Sequence, residues 1–242
     1  MIRSILFQLA LLFSMFTSKP RPIPTPISNL PQKMVALTFD ACMTYGMEKK
    51  LQDGRSKSYF NKPVIDELIK EQVPATLFLT GLWAKNYPET TKSLAQNPLF
   101  EIGNHSYSHP AFTSGCFGLP YIKSSDKDQE FRLSQEILTK LTDKKPALFR
   151  FPGGCFGKDD LELAKKYNLK IIGWNLASGD AFNTNAKSII KRVENGIKPG
   201  SIIVMHMNGD IDAPVTAEAL PEIISYLRSN GYTFVKVSDL TK

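Results

Sequence analysis

From residue 34 onward the chain alternates short apolar runs with amphipathic segments, and this alternation limits the fold more than any other feature. Runs at 34–39, 75–80, 100–104, 147–149, 170–174, 201–206 and 233–237 have the length and continuity of buried strands. Between them lie helical patterns. Residues 62–71 place Val64, Ile65, Leu68 and Ile69 on one face, with Pro63 in the favoured first turn. Residues 125–141 do the same with Phe131, Leu133, Ile137, Leu138 and Leu141. Further helices are expected from Pro88, over 158–167, over 187–195 up to Gly196, and over 216–230 up to Gly231. Strands alternating with helices predict an α/β domain, a parallel sheet with helices outside it. The strands are short and nearly equal in length, which favours a closed or nearly closed barrel over an open sheet. No internal repeat and no second domain boundary interrupts the pattern, so residues 32–242 are read as one domain.

The front of the chain differs in kind. Arg3 precedes a mostly apolar stretch over 5–16, interrupted at Gln8. That is short of the roughly 20 residues a membrane span needs and fits the apolar region of a signal peptide. Residues 1–18 are therefore expected to be an export segment, with an uncleaved anchor as the competing view and no stable membrane span in the mature protein. Residues 19–31 hold five prolines and read as an extended spacer. The expected location is exported: periplasm, envelope or medium. Of the chain's 30 basic residues, Arg3, Lys19 and Arg21 fall in this acid-free front, which leaves the domain only mildly basic against 23 acids. With no basic stripe and no interleaved aromatics, nucleic acid is not an expected partner. The sequence sets no oligomeric state.

Three cysteines allow at most one internal disulfide. Cys42 and Cys155 each follow a strand-end motif and are the pair expected first, leaving Cys116 free; three unpaired thiols stand as the alternative.

In parallel barrels, reactive side chains collect at the C-terminal ends of the strands. Asp40 closes the first expected strand, His105 and His109 follow the third, Arg150 the fourth, and His206 closes the sixth. Asp180 lies in the loop after the fifth. All three histidines of the chain fall at this one face. His105 and His109, at i and i+4, would share one side of a helical turn and could ligate a metal ion, although surface histidines show the same spacing. Ser106 and Ser108 could orient the rings or tie the loop down. Asp40 and His206 suit complementary proton transfers, one taking a proton from water and the other giving one to a leaving amine. Arg150 and Asp180 are opposite charges on converging loops, expected to pair and to hold Asp40 ionised; a structural ion pair at a barrel mouth is the plainer reading.

Thr38-Phe39-Asp40, His105-Ser106-Tyr107-Ser108-His109, Arg150-Phe151-Pro152, Trp174 followed by Asp180, and Val204-Met205-His206 resemble the five ordered motifs of the polysaccharide deacetylase family, carbohydrate esterase family four. The match runs in order from about Val35 to His206. The resemblance implies a single distorted (β/α)7 barrel that removes acetyl groups from N-acetylated glycans such as peptidoglycan or chitin. It implies His105 and His109 as ligands of a divalent metal, and the imidazole ligands suggest a zinc-like ion. It makes Asp40 the base, His206 the acid to the departing amine, Arg150 the holder of Asp40, and Asp180 the holder of Arg150 or its neighbourhood.

Three positions depart from the pattern. Ala41 stands where the family has a second acid, its third metal ligand. Gly153 replaces the aromatic residue common after Pro152, and Met207 and Asn208 stand where an acid often follows the last histidine. The stretch 42–61 reads as a polar, basic lid or groove loop. Besides N-deacetylation, two alternatives remain: hydrolysis of another non-peptide carbon–nitrogen bond, and a degenerate member that binds glycan without turning it over.

Overall fold

The computed structural model describes residues 33–209 and 211–241; the expected export segment and spacer lie outside them. Among the described residues the strands are β1 (Lys33–Ala41), β2 (Ala75–Leu79), β3 (Phe100–Asn104), β4 (Leu148–Phe149), β5 (Lys170–Ile171), β6 (Leu176–Ala177), β7 (Ser201–His206) and β8 (Tyr232–Phe234). All their pairings are parallel, in the order β5-β4-β3-β2-β1-β7-β6, with β8 added beside the start of β1. The sheet curls into an incomplete barrel of the expected class. Its two edge strands, β5 and β6, are consecutive in the chain, so residues 172–175 themselves cross the open seam.

The expected strand over 170–174 is therefore a correction. Only Lys170–Ile171 pairs with β4, and the chain then breaks away to pair Leu176–Ala177 with β7. This two-residue strand is the seventh around the sheet, whereas the expected last strand only flanks β1. Nothing in Asn175–Ser178 carries an apolar period, so pattern could not find it.

Seven helices or helical turns follow the strands on the outside. α1 (Tyr45–Gln52) occupies part of the stretch read as a loop and is started by a Thr44 cap, whose hydroxyl accepts the Met47 N–H at 3.2 Å. α2 (Lys62–Lys70) buries Val64, Ile65 and Leu68, as its periodicity implies. α3 (Gly81–Asn86) and α4 (Pro88–Gln96) follow β2, and α5 (Lys127–Thr142) follows β3. α6 (Lys158–Lys166) follows β4, and α7 (Ala186–Gly196) follows β6. Two more, α8 (Thr216–Ser229) and α9 (Val237–Leu240), close the chain.

The alternation along β1 sets the two sides of the sheet. Val35, Leu37, Phe39, Ala41 and Met43 enter the core cluster shared with the outer helices. Met34, Ala36, Thr38 and Asp40 face the barrel interior, where Phe78 and Ile202 pack.

The disulfide is a second correction: Cys116 bonds Cys155, and Cys42 is the free thiol. The sequence reading paired two strand-end cysteines. In the fold, however, the loop carrying Cys116 lies on the turn Pro152–Gly154, so close that a Cβ on Gly153 would stand 2.6 Å from the Cys116 sulfur. The bridge closes 39 residues of chain. Replacing both Cys116 and Cys155 with alanine should lower unfolding stability by about 2–4 kcal/mol, measured by urea denaturation. An unchanged midpoint would contradict a stapling role.

A tight contact inside the barrel links the fold to the site. A Cβ on Gly103 would meet the Phe78 ring at 2.5 Å, so only glycine leaves room for that ring between β2 and β3. Gly103→Ala should cost about 1–3 kcal/mol by overpacking, with the loss appearing as a lower thermal midpoint.

Candidate active site

Strand register brings the first pair together. Asp40 on β1 is the ladder partner of His206 on β7 and of Phe78 on β2. Neighbouring parallel strands point matched residues to the same face, so the carboxylate and the imidazole share the mouth of the barrel.

Asp40 is only 4% exposed and is held from below by Arg150, which has no exposed surface. Arg150 Nη1 donates to Asp40 Oδ1 at 2.7 Å, and Nη2 donates to the Gly173 carbonyl at 3.2 Å. The guanidinium lies 4.1 Å from the centre of the Phe78 ring, a desolvated cation on an aromatic face. Burial lowers the Arg150 pKa, opposed by the charge and hydrogen bond of Asp40.

Arg150 also organises the histidine loop through its main chain. Its carbonyl meets His105 Nδ1 at 2.8 Å. A carbonyl only accepts, so Nδ1 carries the hydrogen and Nε2 keeps its lone pair. That Nε2 stands 3.6 Å from Asp40 Oδ2. Burial, against the charge of Asp40, lowers the His105 pKa. Burial, then the charges of His105 and His206, holds that of His109 well below its ordinary value. Both rings are thus set up as neutral imidazoles, the form that binds metal.

The two rings do meet, with centroids 4.9 Å apart, but the expected helical turn is absent. Residues 105–109 form an irregular loop with left-handed φ at Ser106 (68°) and His109 (61°). Sequence reasoning missed the residue that holds this loop. Glu130 of α5, 6% exposed, accepts the Tyr107 N–H at 2.8 Å, the Ser108 N–H at 2.7 Å and the Ser108 hydroxyl at 2.6 Å. Asn104 Oδ1 adds a bond from the Ser106 N–H at 2.9 Å. An acid beside the apolar stripe of α5 was the available signal for Glu130.

Asp180 corrects another expectation. Its contacts run to His206 rather than to Arg150. Oδ1 meets His206 Nδ1 at 2.9 Å and accepts the Ser178 hydroxyl at 2.9 Å. Oδ2 accepts the His206 N–H at 2.7 Å and the Thr216 hydroxyl at 2.8 Å. The loop after β6 runs beside β7, whereas Arg150 is oriented by β4, so each acid takes the nearest cation. Two separate dyads result, Asp40–Arg150 and Asp180–His206.

Cys42, which the sequence reading had placed in a disulfide, belongs to the site. Its sulfur, with one nitrogen each from His105 and His109, forms a set of potential donors within 4.8 Å of one another. This trio could hold a metal ion. Its donors are the imidazole and sulfur groups that suit zinc-like ions.

The electrostatics of His206 give a measurable consequence. Burial pulls its pKa down, but the charge and hydrogen bond of Asp180, then the charge of Asp40, push it up to about 9 from 6.5. A raised pKa stabilises the fold fully below the unfolded value of 6.5, and that contribution is lost as pH rises through about 9. In the metal-free protein, NMR titration of His206 should place its midpoint near 9. Asp180→Asn should lower it clearly, since burial remains and the largest opposing charge is gone. A midpoint indifferent to that substitution would rule out the dyad as the cause.

Comparison with known proteins agrees with this geometry. The polysaccharide deacetylase family model matches residues 28–172. A peptidoglycan-N-acetylglucosamine deacetylase of Bacillus cereus is 30% identical over 206 residues, 85% of this chain and 67% of that protein. The peptidoglycan-N-acetylmuramic acid deacetylase PdaA of Bacillus subtilis is 31% identical, covering 88% of this chain and 73% of its own length. Among solved structures, a peptidoglycan N-acetylglucosamine deacetylase bound to a naphthalenyl N-oxidanyl-benzamide superposes with a TM-score of 0.73 at 27% identity, over 87% of this chain and 88% of that one. A protein from Bacillus anthracis described as a CE4 family pseudoenzyme superposes with a TM-score of 0.71 at 25% identity, over 88% of this chain and 66% of that one. From the family model, the relatives and the shared fold together, the chain belongs to the polysaccharide deacetylase family.

Proposed function

We propose that this protein is a metal-dependent hydrolase that removes N-acetyl groups from an N-acetylated glycan, with peptidoglycan the favoured substrate. The observation that carries the reading is a pair of dyads whose Asp40 and His206 stand side by side on adjacent strands, one presenting a carboxylate and the other an imidazole whose pKa is raised to about 9. The peptidoglycan deacetylases among its relatives support the substrate class.

In this reading Asp40 takes a proton from the water whose oxygen attacks the amide carbonyl carbon. Arg150 orients that carboxylate through its Nη1 hydrogen bond. As the carbon–nitrogen bond breaks, His206 gives its Nε2 proton to the amine nitrogen, and Asp180, on Nδ1, fixes the ring and stabilises its charged form. The products are acetate and a free amine. His105 and His109 would hold the divalent ion, zinc by the character of its donors, which supplies Lewis acidity to the carbonyl oxygen and lowers the pKa of water.

The export segment at 1–18, the spacer at 19–31 and the catalytic unit at 32–242 belong to the same proposal, since a cell-wall substrate lies outside the membrane. No helix among the described residues is long and apolar enough to cross a membrane. Ala41 favours a second reading, binding of glycan without turnover, and the similar pseudoenzyme gives that reading a precedent.

The test is acetate release from peptidoglycan and from N-acetylglucosamine oligomers. Release should cease with a chelator and return with zinc. Asp40→Asn and His206→Ala should each lower the rate by about 10²–10⁴-fold. Glycan binding with no acetate, across a series of added divalent metals, would shift the assignment to the non-catalytic reading.

A further inference from the structure

Ala41 brings no donor to the place where the family has its third metal ligand, yet the site is not short of one. Alternation along β1 explains why. Odd-numbered residues at this end, Phe39, Ala41 and Met43, enter the core against the outer helices. Cys42 lies two residues beyond Asp40, on the side of the barrel mouth. Its sulfur falls within 4.8 Å of donor nitrogens of both His105 and His109.

The main chain at Cys42 is also held in place. Asn208, 1% exposed, accepts the Cys42 N–H on Oδ1 at 2.9 Å and donates Nδ2–H to the Cys42 carbonyl at 2.7 Å. The strand continues the same lock, with the Met207 N–H donating to the Asp40 carbonyl at 3.0 Å. Asn208 is itself one of the departures from the family pattern. One departure, Asn208, thus fixes the backbone of the sulfur donor that follows another, Ala41.

We propose that Cys42 is the third metal ligand, completing a Cys-His-His set that selects a thiophilic ion of the zinc class, with Asn208 as its positioning residue. The inference rests on the metal-dependent reading above. A thiolate carries the same single negative charge as a carboxylate, so the charge balance of the site is kept while its hardness changes. Sulfur favours zinc and similar soft or borderline ions over oxygen-seeking ones. On binding, the S–H bond breaks, its proton passes to buffer and the sulfur lone pair binds the ion; no oxidant or reductant takes part.

The disulfide makes the test specific. The chain has three cysteines and two are bonded to each other, so any metal–thiolate signal belongs to Cys42. Cobalt(II) is the probe, added to the metal-free full-length protein and followed by absorption and equilibrium dialysis. The wild type should show a near-ultraviolet sulfur-to-cobalt charge-transfer band, and stoichiometric zinc should protect the thiol from iodoacetamide. Cys42→Ser and Cys42→Ala should lose the band, with circular dichroism confirming the fold. Asn208→Ala should keep the band but weaken cobalt affinity by about 10–100-fold, as loss of a supporting contact does. Cobalt bound with visible d–d bands but no charge-transfer band would overturn the proposal and leave the metal-dependent reading standing. Failure of the wild type to bind cobalt or zinc at all would overturn both.

Discussion

The ion pair between Arg150 and Asp40 is the contact on which the rest of the site depends. A guanidinium with no exposed surface is tolerable only if it is paired and hydrogen-bonded, and removing one partner of such a pair costs about 3–5 kcal/mol. Here Asp40 and the Gly173 carbonyl each accept a guanidinium hydrogen bond and the Phe78 ring lies against its face, while Nε has no hydrogen-bond partner. Gly103 makes space for that ring. Arg150 also uses its carbonyl to set the tautomer of His105. Arg150 therefore orients the carboxylate with its side chain and the His105 ring with its backbone.

The second dyad is arranged differently. Asp180 is saturated by His206, Ser178 and Thr216, so its charge is spent on one imidazole. That separation lets two carboxylates a few residues from the same mouth behave differently. One is held by a permanent cation. The other raises the pKa of its histidine, which reaches about 9.

The departures from the family pattern are not independent losses. In the proposed site Cys42 stands in for an acid at 41, and Asn208, two residues beyond β7, fixes the backbone at 42. The Cys116–Cys155 bridge lies apart from it and ties the loop beyond His109 to the turn after Arg150. The sulfur chemistry of this chain is thus divided, with two cysteines bonded in a staple and one thiol kept in the mouth.

Much of this was legible in the sequence, because it follows from local order. Period and run length marked β1, β2, β3 and β7, and their ends marked Asp40, His105, His109 and His206. What could not be read is what depends on which distant segments meet. Asp180 takes His206 because the loop after β6 lies along β7, and β6 itself exists only through that pairing. Cys116 finds Cys155 because two loops stack, although Cys42 and Cys155 look more alike along the chain. Glu130 and Asn208 act through geometry that no spacing rule encodes. The sequence by itself determined the order of the elements and the face on which the reactive residues gather, since both come from periodicity and strand polarity. Only the tertiary structure decided who partners whom, because hydrogen bonds, ion pairs and disulfides form at a few ångströms and are set by register across the sheet.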